Sequence, residues 1–514
     1  MPSRTALNLA FTAGGIHLVI ILVDYSGNER VLIDELANGL VKVRSPESAV
    51  VDRRATMLVR QAFDGAPIAE IPVDNEASVA EKLDRATRCF ADRAGWLPPY
   101  RRIEILRRLA RLLEREYEAL ALLIAREGGK PLADARIEAA RSINGVESAI
   151  GDLEHLAGRE IPMGLTPASR DRWAFTTKEP IGVVAAISAF NHPLNLIVHQ
   201  VVPAIATGCP VIIKPANTTP LCCLRFVELV HEAGLPPDWC QTLIVEDNAL
   251  AERFATNPSV AFLSFIGSAK VGWYLRSKLA PGTRCALEHG GAAPVIVDRS
   301  VEIDTIIEPL VKGGYYHAGQ VCVSVQRIFV HAEIMPRFVE RLTERVSALR
   351  VGDPTSPDTE MGPLILPREV DRVAAWVAEA RDAGGTITTG GAPVSERVYA
   401  PTVVVKPPTT VKLSREEVFG PVTCVYPFTD LDEAIAQANS LPFSFQASVF
   451  ARDIDIALRA ARSLDASTIL INDHTAFRVD WMPFAGRRQS GYGIGGIPYT
   501  MHDMTQEKMI VLRC

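Results

Sequence analysis

The stretch whose reading decides the fold is IGVVAAISAFNHPLNLIVHQVVPAIATGCPVIIK, residues 181–214. Ile181–Ile187 is a short apolar run, as expected of a strand buried on both faces. Leu194–Ala206 reads as a helix stopped by Gly208, and Pro210–Ile213 as a second short strand. A strand, a crossover helix and another strand predict a parallel pair. The rhythm continues downstream. Thr218 or Thr219 is suited to cap a helix with Pro220 at its first position and Gly234 at its end. Gln241–Val245, Ala261–Ile266 and Pro294–Val297 read as further strands, with helical stretches between the first two and before the last. Repeated units of this kind imply a largely parallel sheet with helices on its faces, and ligands at the carboxyl ends of its strands.

The later chain repeats the style. Strands are expected at Arg327–His331, Thr402–Val405 and Thr468–Ile471. Helices are expected at Pro336–Leu349, Arg368–Ala383, Leu431–Ser440 and Ile454–Leu464. Upstream, residues 102–127 predict one amphipathic helix, with Ile103, Leu106, Ala110, Leu113, Tyr117 and Leu120 on one face and Gly128 and Gly129 at its end. Arg101, Arg102, Arg107, Arg108 and Arg111 read as its solvated side, or as donors to an anionic substrate. The chain shows no internal repeat or low-complexity tract. At 514 residues it is longer than one core organises, so two rigidly packed α/β domains are expected.

Composition narrows the function. Hydrophobic residues make up 48% and charged residues 22%, a globular balance. A formal net charge of −6 gives no footprint for nucleic acid. The nine cysteines are odd in number and contain no Cys-x-x-Cys pair. That argues against a disulfide framework or a zinc site and for a reducing compartment, taken as the cytoplasm. Ile16–Val23 is strongly apolar but far shorter than the ~20 residues of a spanning helix. It reads as an added strand or as upstream sequence, and Met57 offers an alternative start.

Two side chains stand out chemically. Cys322 lies in YYHAGQVCVSVQR, residues 315–327, and Glu288 opens Glu288-His289-Gly290-Gly291. A thiolate is a strong nucleophile, but an unperturbed thiol has a pKa near ~8.5 and needs help to ionise. Most cysteines in such a chain are simply small buried hydrophobes. Glu288 follows an apolar stretch, where a carboxylate is costly to bury without a partner or a task. It reads either as a capping or salt-bridged residue, or as a base with a pKa raised by burial. Asn191 follows the first strand and precedes a helix, a position from which its amide can reach an oxyanion or bond its own turn. His192 reads as structural. Lys214 ends a strand, and Gly267-Ser268-Ala269-Lys270-Val271-Gly272 joins a strand to a helix as a phosphate site would, without being a GxGxxG fingerprint.

Together these segments resemble the aldehyde dehydrogenase superfamily over roughly residues 60–508. The landmarks are Glu179-Pro180-Ile181-Gly182, Lys214-Pro215-Ala216, Phe265-Ile266-Gly267-Ser268, Leu287-Glu288-His289-Gly290-Gly291, Gly319-Gln320-Val321-Cys322, Gly352-Asp353-Pro354, Met361-Gly362-Pro363-Leu364, Glu416-Glu417-Val418-Phe419-Gly420-Pro421 and Pro483-Phe484-Ala485-Gly486. The resemblance implies an α/β, aldehyde dehydrogenase-like fold with a Rossmann-like cofactor domain (57–157 and 181–287), an α/β catalytic domain (288–484) and a small β oligomerisation element (158–180 and 485–514). Residues 1–56 are expected to be an N-terminal extension of uncertain role. It implies a hydrolytic, NAD- or NADP-dependent oxidation. By this resemblance Cys322 would be the nucleophile, Asn191 with the Cys322 backbone N–H the oxyanion site, and Glu288 the base that activates water. Ile187, Ser188, Ala189, Phe190, Lys214, Ala216, Asn217, Gly267, Ser268, Val271, His289, Glu417 and Phe419 are the implied cofactor contacts. A homodimer or homotetramer is implied, with no membrane partner.

The sequence departs from the family at Asn217, where strictly NAD-using members usually carry Glu. A neutral Asn removes a charge that repels a 2′-phosphate, whereas Glu246 and Asp247 nearby oppose that phosphate, so both NAD and NADP stand. Val321, Val323 and Arg478 are the expected substrate contacts. Arg478 is suited to the hydroxyl or carboxylate of a small hydroxy- or semialdehyde, or is paired with Asp480 or Asp473. Two other readings are a coenzyme A-acylating relative, which typically lacks the Glu, and an idle binding or structural protein, against which the retained residues argue.

Overall fold

The computed structural model describes residues 55–514; the apolar run Ile16–Val23 lies outside them. Two parallel sheets dominate. The first runs, in spatial order, Cys240–Thr242, Val211–Lys214, Val183–Ile187, Val260–Ile266, Arg284–Glu288 and Gly491–Tyr492, all parallel except the last. Its central strands feed two cores in strict alternation. Val184, Ala186, Val211 and Ile213 face one, while Val183, Ala185, Ile212 and Leu263 face the other. This period of two is what a twice-covered strand requires. The second sheet runs Thr386–Thr389, Thr402–Val405, Val422–Phe428, Val325–His331, Ala293–Val297, Gln446–Phe450 and Thr468–Ile471. Only its first pair is antiparallel.

A third, antiparallel sheet joins Thr505–Arg513 to Arg172–Pro180 and Glu160–Ile161. The tail does not all belong to it. Gly491–Tyr492 extends the first sheet, and Ile497 and Met501 of the helix Ile497–Asp503 are buried in the first core.

The structure corrects several local expectations. The helix expected over 102–127 is two, Pro99–Arg115 and Tyr117–Gly128, broken at Glu116. Glu116 leaves helical geometry and its carboxylate is held by Arg115 and Arg225. Neither Thr218 nor Thr219 caps the helix Leu221–Glu232. Its free Leu221 and Cys222 N–H groups donate instead to the buried carboxylate of Glu127, at 2.8 and 2.9 Å. Residues 284–288, the stretch that ends at Glu288, form a strand. None of Arg101, Arg102, Arg107, Arg108 and Arg111 lines the cavity of the site; Arg102 donates to the Ala206 carbonyl and Arg101 pairs with Glu104.

Candidate active site

The carboxyl edge of the first sheet assembles much of the site. Lys214 stands beside Ile187, and Glu288 beside Ile266, at the ends of neighbouring strands. The segment 188–194 leaves this edge and enters the helix Asn195–Thr207, every residue of which is buried. The free N–H groups of Leu194 and Asn195 donate to Glu138, which is itself paired with Lys130. This buried capping fixes the end of the segment that carries Asn191. Asn191 Nδ2 donates to the Gln320 carbonyl at 3.1 Å.

Cys322 lies on the loop between the helix Ile303–Tyr315 and the strand Val325–His331. Three successive residues before it, His317, Ala318 and Gly319, have φ of 50°, 53° and 68°. Left-handed backbone costs a non-glycine residue ~1–2 kcal/mol. Gly319 is required here, because a Cβ would collide with the Gly420 carbonyl. Gln320 locks the turn. Its side chain donates to the His317 and Pro363 carbonyls and accepts from Ile365 N. Val321 and Val323 are buried against Phe445 and Phe484, which fixes Cys322 between them.

A cavity of about 600 Å³ joins these parts. Its reactive end holds Cys322, Glu288, Asn191, Val321 and Val323, together with Tyr316, His192, Arg141, Arg478 and Phe484. Burial, with Glu288 adding to it, pushes the Cys322 thiol well above its ordinary value, so the resting group is protonated. Burial also raises Glu288, while Arg478 and Arg141 pull it back down. Arg478 Nη1 is 4.0 Å from Glu288 Oε1. Asp480 is not the partner of Arg478: it accepts from Arg141, His199 and Asn195. Nor is Asp473, whose carboxylate accepts from His474 N. His192 Nε2 sits 3.4 Å from the Tyr316 hydroxyl, so the histidine read as structural also lines the cavity.

The other end is a cleft between Ile187, Ser188, Ala189, Phe190, Ala216, Gly267, Ser268 and Val271 on one side and Glu417 and Phe419 on the other. Its chemistry fits a dinucleotide. Ser188 Oγ is buried without a partner. Glu417 is raised to about 8 by burial and bonds only Gly291 N, at 3.2 Å, which leaves acceptor capacity for ribose hydroxyls. Gly290 is needed because a Cβ would collide with that carboxylate. Phe190 meets Phe419 edge-on at 5.8 Å. Gly267 and Ser268 precede the eight-residue helix Ala269–Arg276, whose N-terminus suits a phosphate. His289 is on the wall, but its Nδ1 is spent on the Gly267 carbonyl at 2.9 Å and shapes that turn. Lys214 and Asn217 lie outside the cavity lining, bonded to each other at 3.0 Å, and burial lowers Lys214 to about 8.

Sequence reasoning missed Arg141 and Tyr316. Tyr316 lay in the Cys322 run unassigned. Arg141 carried no local signal, since its carboxylate partner is 339 positions away.

A nucleotide cleft that opens on a thiol, a buried carboxylate and an amide donor is the arrangement of an NAD(P)-dependent oxidoreductase. The chain belongs to the aldehyde dehydrogenase family, whose model matches residues 50–510. It is similar to the 3-sulfolactaldehyde dehydrogenase of Priestia aryabhattai, 36% identical over 460 residues that cover 89% of this chain and 94% of that one. Among solved structures it resembles aldehyde dehydrogenase 21 of Physcomitrella patens in complex with the reaction product succinate. That match has a TM-score of 0.87 and 32% identity, over 90% of this chain and 96% of the other. It also resembles the glyceraldehyde-3-phosphate dehydrogenase of Methanocaldococcus jannaschii complexed with NADP, with a TM-score of 0.85 and 32% identity, over 90% and 100%. The protein is an aldehyde dehydrogenase that oxidises an aldehyde to a carboxylic acid, with NAD or NADP as cofactor. No helix among the described residues is long and apolar enough to cross a membrane.

Proposed function

We propose that Cys322, Glu288 and Asn191 carry the reaction, and that the substrate is a small aldehyde with an anionic far end. The observation that supports the substrate reading most is the pair Arg141 and Arg478 in the cavity that holds Cys322. Arg141 is already engaged by Asp480, whereas Arg478 Nε is buried with no partner. A buried guanidinium with unfilled donors is costly unless a ligand fills them. The relative that acts on a sulfonated aldehyde and the neighbour that holds succinate fit such a class.

The Cys322 thiol, protonated at rest, loses its proton to solvent, and the thiolate so formed adds to the aldehyde carbon and forms a C–S bond. Negative charge develops on the former carbonyl oxygen, near the second Asn191 N–H and the Cys322 backbone N–H. Ser188, Gly267, Ser268 and Glu417 would hold oxidised NAD(P), which would supply the acceptor for the hydride lost from that carbon. The product on the protein is a thioester. Glu288 takes a proton from water, the hydroxide attacks the acyl carbon, and the C–S bond breaks to release acid and thiolate. A buried carboxylate with a raised pKa is suited to this task, and its retention favours hydrolysis over acyl transfer to coenzyme A.

We read 57–157 and 181–287 as the cofactor-binding domain and 288–484 as the catalytic domain, with Gly491–Tyr492 and the helix Ile497–Asp503 added to the first. We read the third sheet as a homodimer or homotetramer contact, because Trp173, Met509, Val511 and Leu512 on it are exposed apolar side chains. The nine free thiols favour a cytoplasmic setting. The test is a panel of aldehydes of equal length with carboxylate, sulfonate, hydroxyl or methyl ends, followed by absorbance of the reduced cofactor. Higher kcat/KM for the anionic members is expected; equal values across the panel would overturn the substrate reading.

A further inference from the structure

His199 lies on the buried helix Asn195–Thr207, one turn beyond Asn195. Its Nε2 is 2.7 Å from Asp480 Oδ1, and its Nδ1 is 3.3 Å from Arg478 Nη2. A guanidinium has donors only. Nδ1 therefore accepts from Arg478, and the one ring proton sits on Nε2 and is donated to Asp480. Burial holds His199 down to about 4, so this neutral tautomer is the form present near neutrality. Burial alone would raise Asp480, but its bonds to His199 and Arg141 hold it well below the usual carboxylate range.

The rest of the Arg478 environment is sparse. Its Cζ lies 3.5 Å from the centroid of the Phe484 ring, and its Nε has no partner. Its nearest carboxylate is Glu288, at 4.0 Å. Loss of the acceptor at His199 removes one bond that competes with a closer ion pair between Arg478 and Glu288. That pair would take the guanidinium from the substrate and load the base with a cation.

We propose that His199 and Asp480 are positioning residues for substrate selection: the chain Asp480–His199–Arg478 holds the guanidinium away from Glu288 and toward the anionic end of the aldehyde. This rests on the reading that Arg478 receives that end. The chain is a polar device built on a helix that is otherwise packed in a hydrophobic core, a costly arrangement unless it is fully bonded.

The test compares kcat/KM for succinic semialdehyde with that for butanal, of the same carbon number but uncharged, in the intact enzyme. Both are measured in native protein and in His199→Leu, His199→Gln and Arg478→Leu. His199→Leu removes the acceptor, and the anionic-to-neutral ratio is expected to fall at least about tenfold, equivalent to ~1.4 kcal/mol. Gln offers both an acceptor and a donor, and is expected to keep the ratio within about threefold. A merely structural role would lower both substrates together and leave the ratio alone. If His199→Leu does not fold, His199→Phe is read in its place, and the Gln variant decides by itself if neither folds: a tenfold loss there overturns the proposal. An unmoved ratio in His199→Leu alongside a collapsed ratio in Arg478→Leu overturns the positioning role but leaves the Arg478 reading standing. An unmoved ratio in Arg478→Leu removes both.

Discussion

Replacing Glu288 by Gln should separate the two halves of the reaction. The change conserves shape and removes one buried negative charge. Two consequences follow from the geometry, with opposite signs. Thioester hydrolysis loses its base, and general base catalysis contributes ~10²–10⁴-fold. The Cys322 thiol, in contrast, loses a neighbour that raises its pKa, so its thiolate fraction at a given pH rises. Glu288 sits 4.0 Å from Arg478, too far for a tight bonded pair, so a neutral amide breaks no short contact there. Stopped-flow absorbance of the reduced cofactor should show a burst of one equivalent per site. Its rate should be no slower than that of the native enzyme. A steady state ~10²–10⁴-fold below native should follow. Alkylation of Cys322 by iodoacetamide should reach half-maximal rate at a lower pH than in native protein. A steady state within about tenfold of native, or a missing burst with ordinary alkylation, would refute the assignment of Glu288 as base.

Cys322→Ser should abolish oxidation while the dissociation constant for NAD or NADP, followed by protein fluorescence, stays within about twofold. Asn217→Glu adds a carboxylate beside Lys214 and should lower kcat/KM for NADP relative to NAD; an unchanged ratio would remove the repulsion argument. Gly290→Ala drives a Cβ into the Glu417 carboxylate and should weaken cofactor binding at least about tenfold, read by titration. For Arg478→Leu, removal of the cation that holds Glu288 down raises the carboxyl pKa further. The acidic limb of the kcat profile on a neutral aldehyde should then move to higher pH, and a shift to lower pH would contradict the charge assignment.

What the sequence made legible follows from local rules. The Val183–Ile187 strand, the Asn195–Thr207 helix and the Val211–Lys214 strand each carry their own period, breaker and length, and each was readable within two residues. The strands Val422–Phe428 and Gln446–Phe450 were not, since short apolar runs without a distinctive flank do not separate strand from buried helix. The cap of the helix Leu221–Glu232 was misread because the physics is tertiary: Glu127, 94 positions upstream of Leu221, supplies the acceptor that a local threonine would otherwise provide. The site divides the same way. Cys322 and Glu288 sit in short motifs with glycines that the close packing demands, and Asn191 in the turn between a strand and a helix. Arg141 and His199 owe their place to Asp480, which no spacing along the chain connects to either.

We propose that the aldehyde is oxidised while bonded to the Cys322 sulfur. The most direct test is intact-protein and peptide mass spectrometry of the Glu288→Gln enzyme, quenched in acid during the burst with succinic semialdehyde and NADP or NAD. One acyl group per chain is expected, on the peptide containing Cys322 and labile to hydroxylamine. An unmodified Cys322 under a full burst, or an acyl group on any of the other eight cysteines, would contradict it.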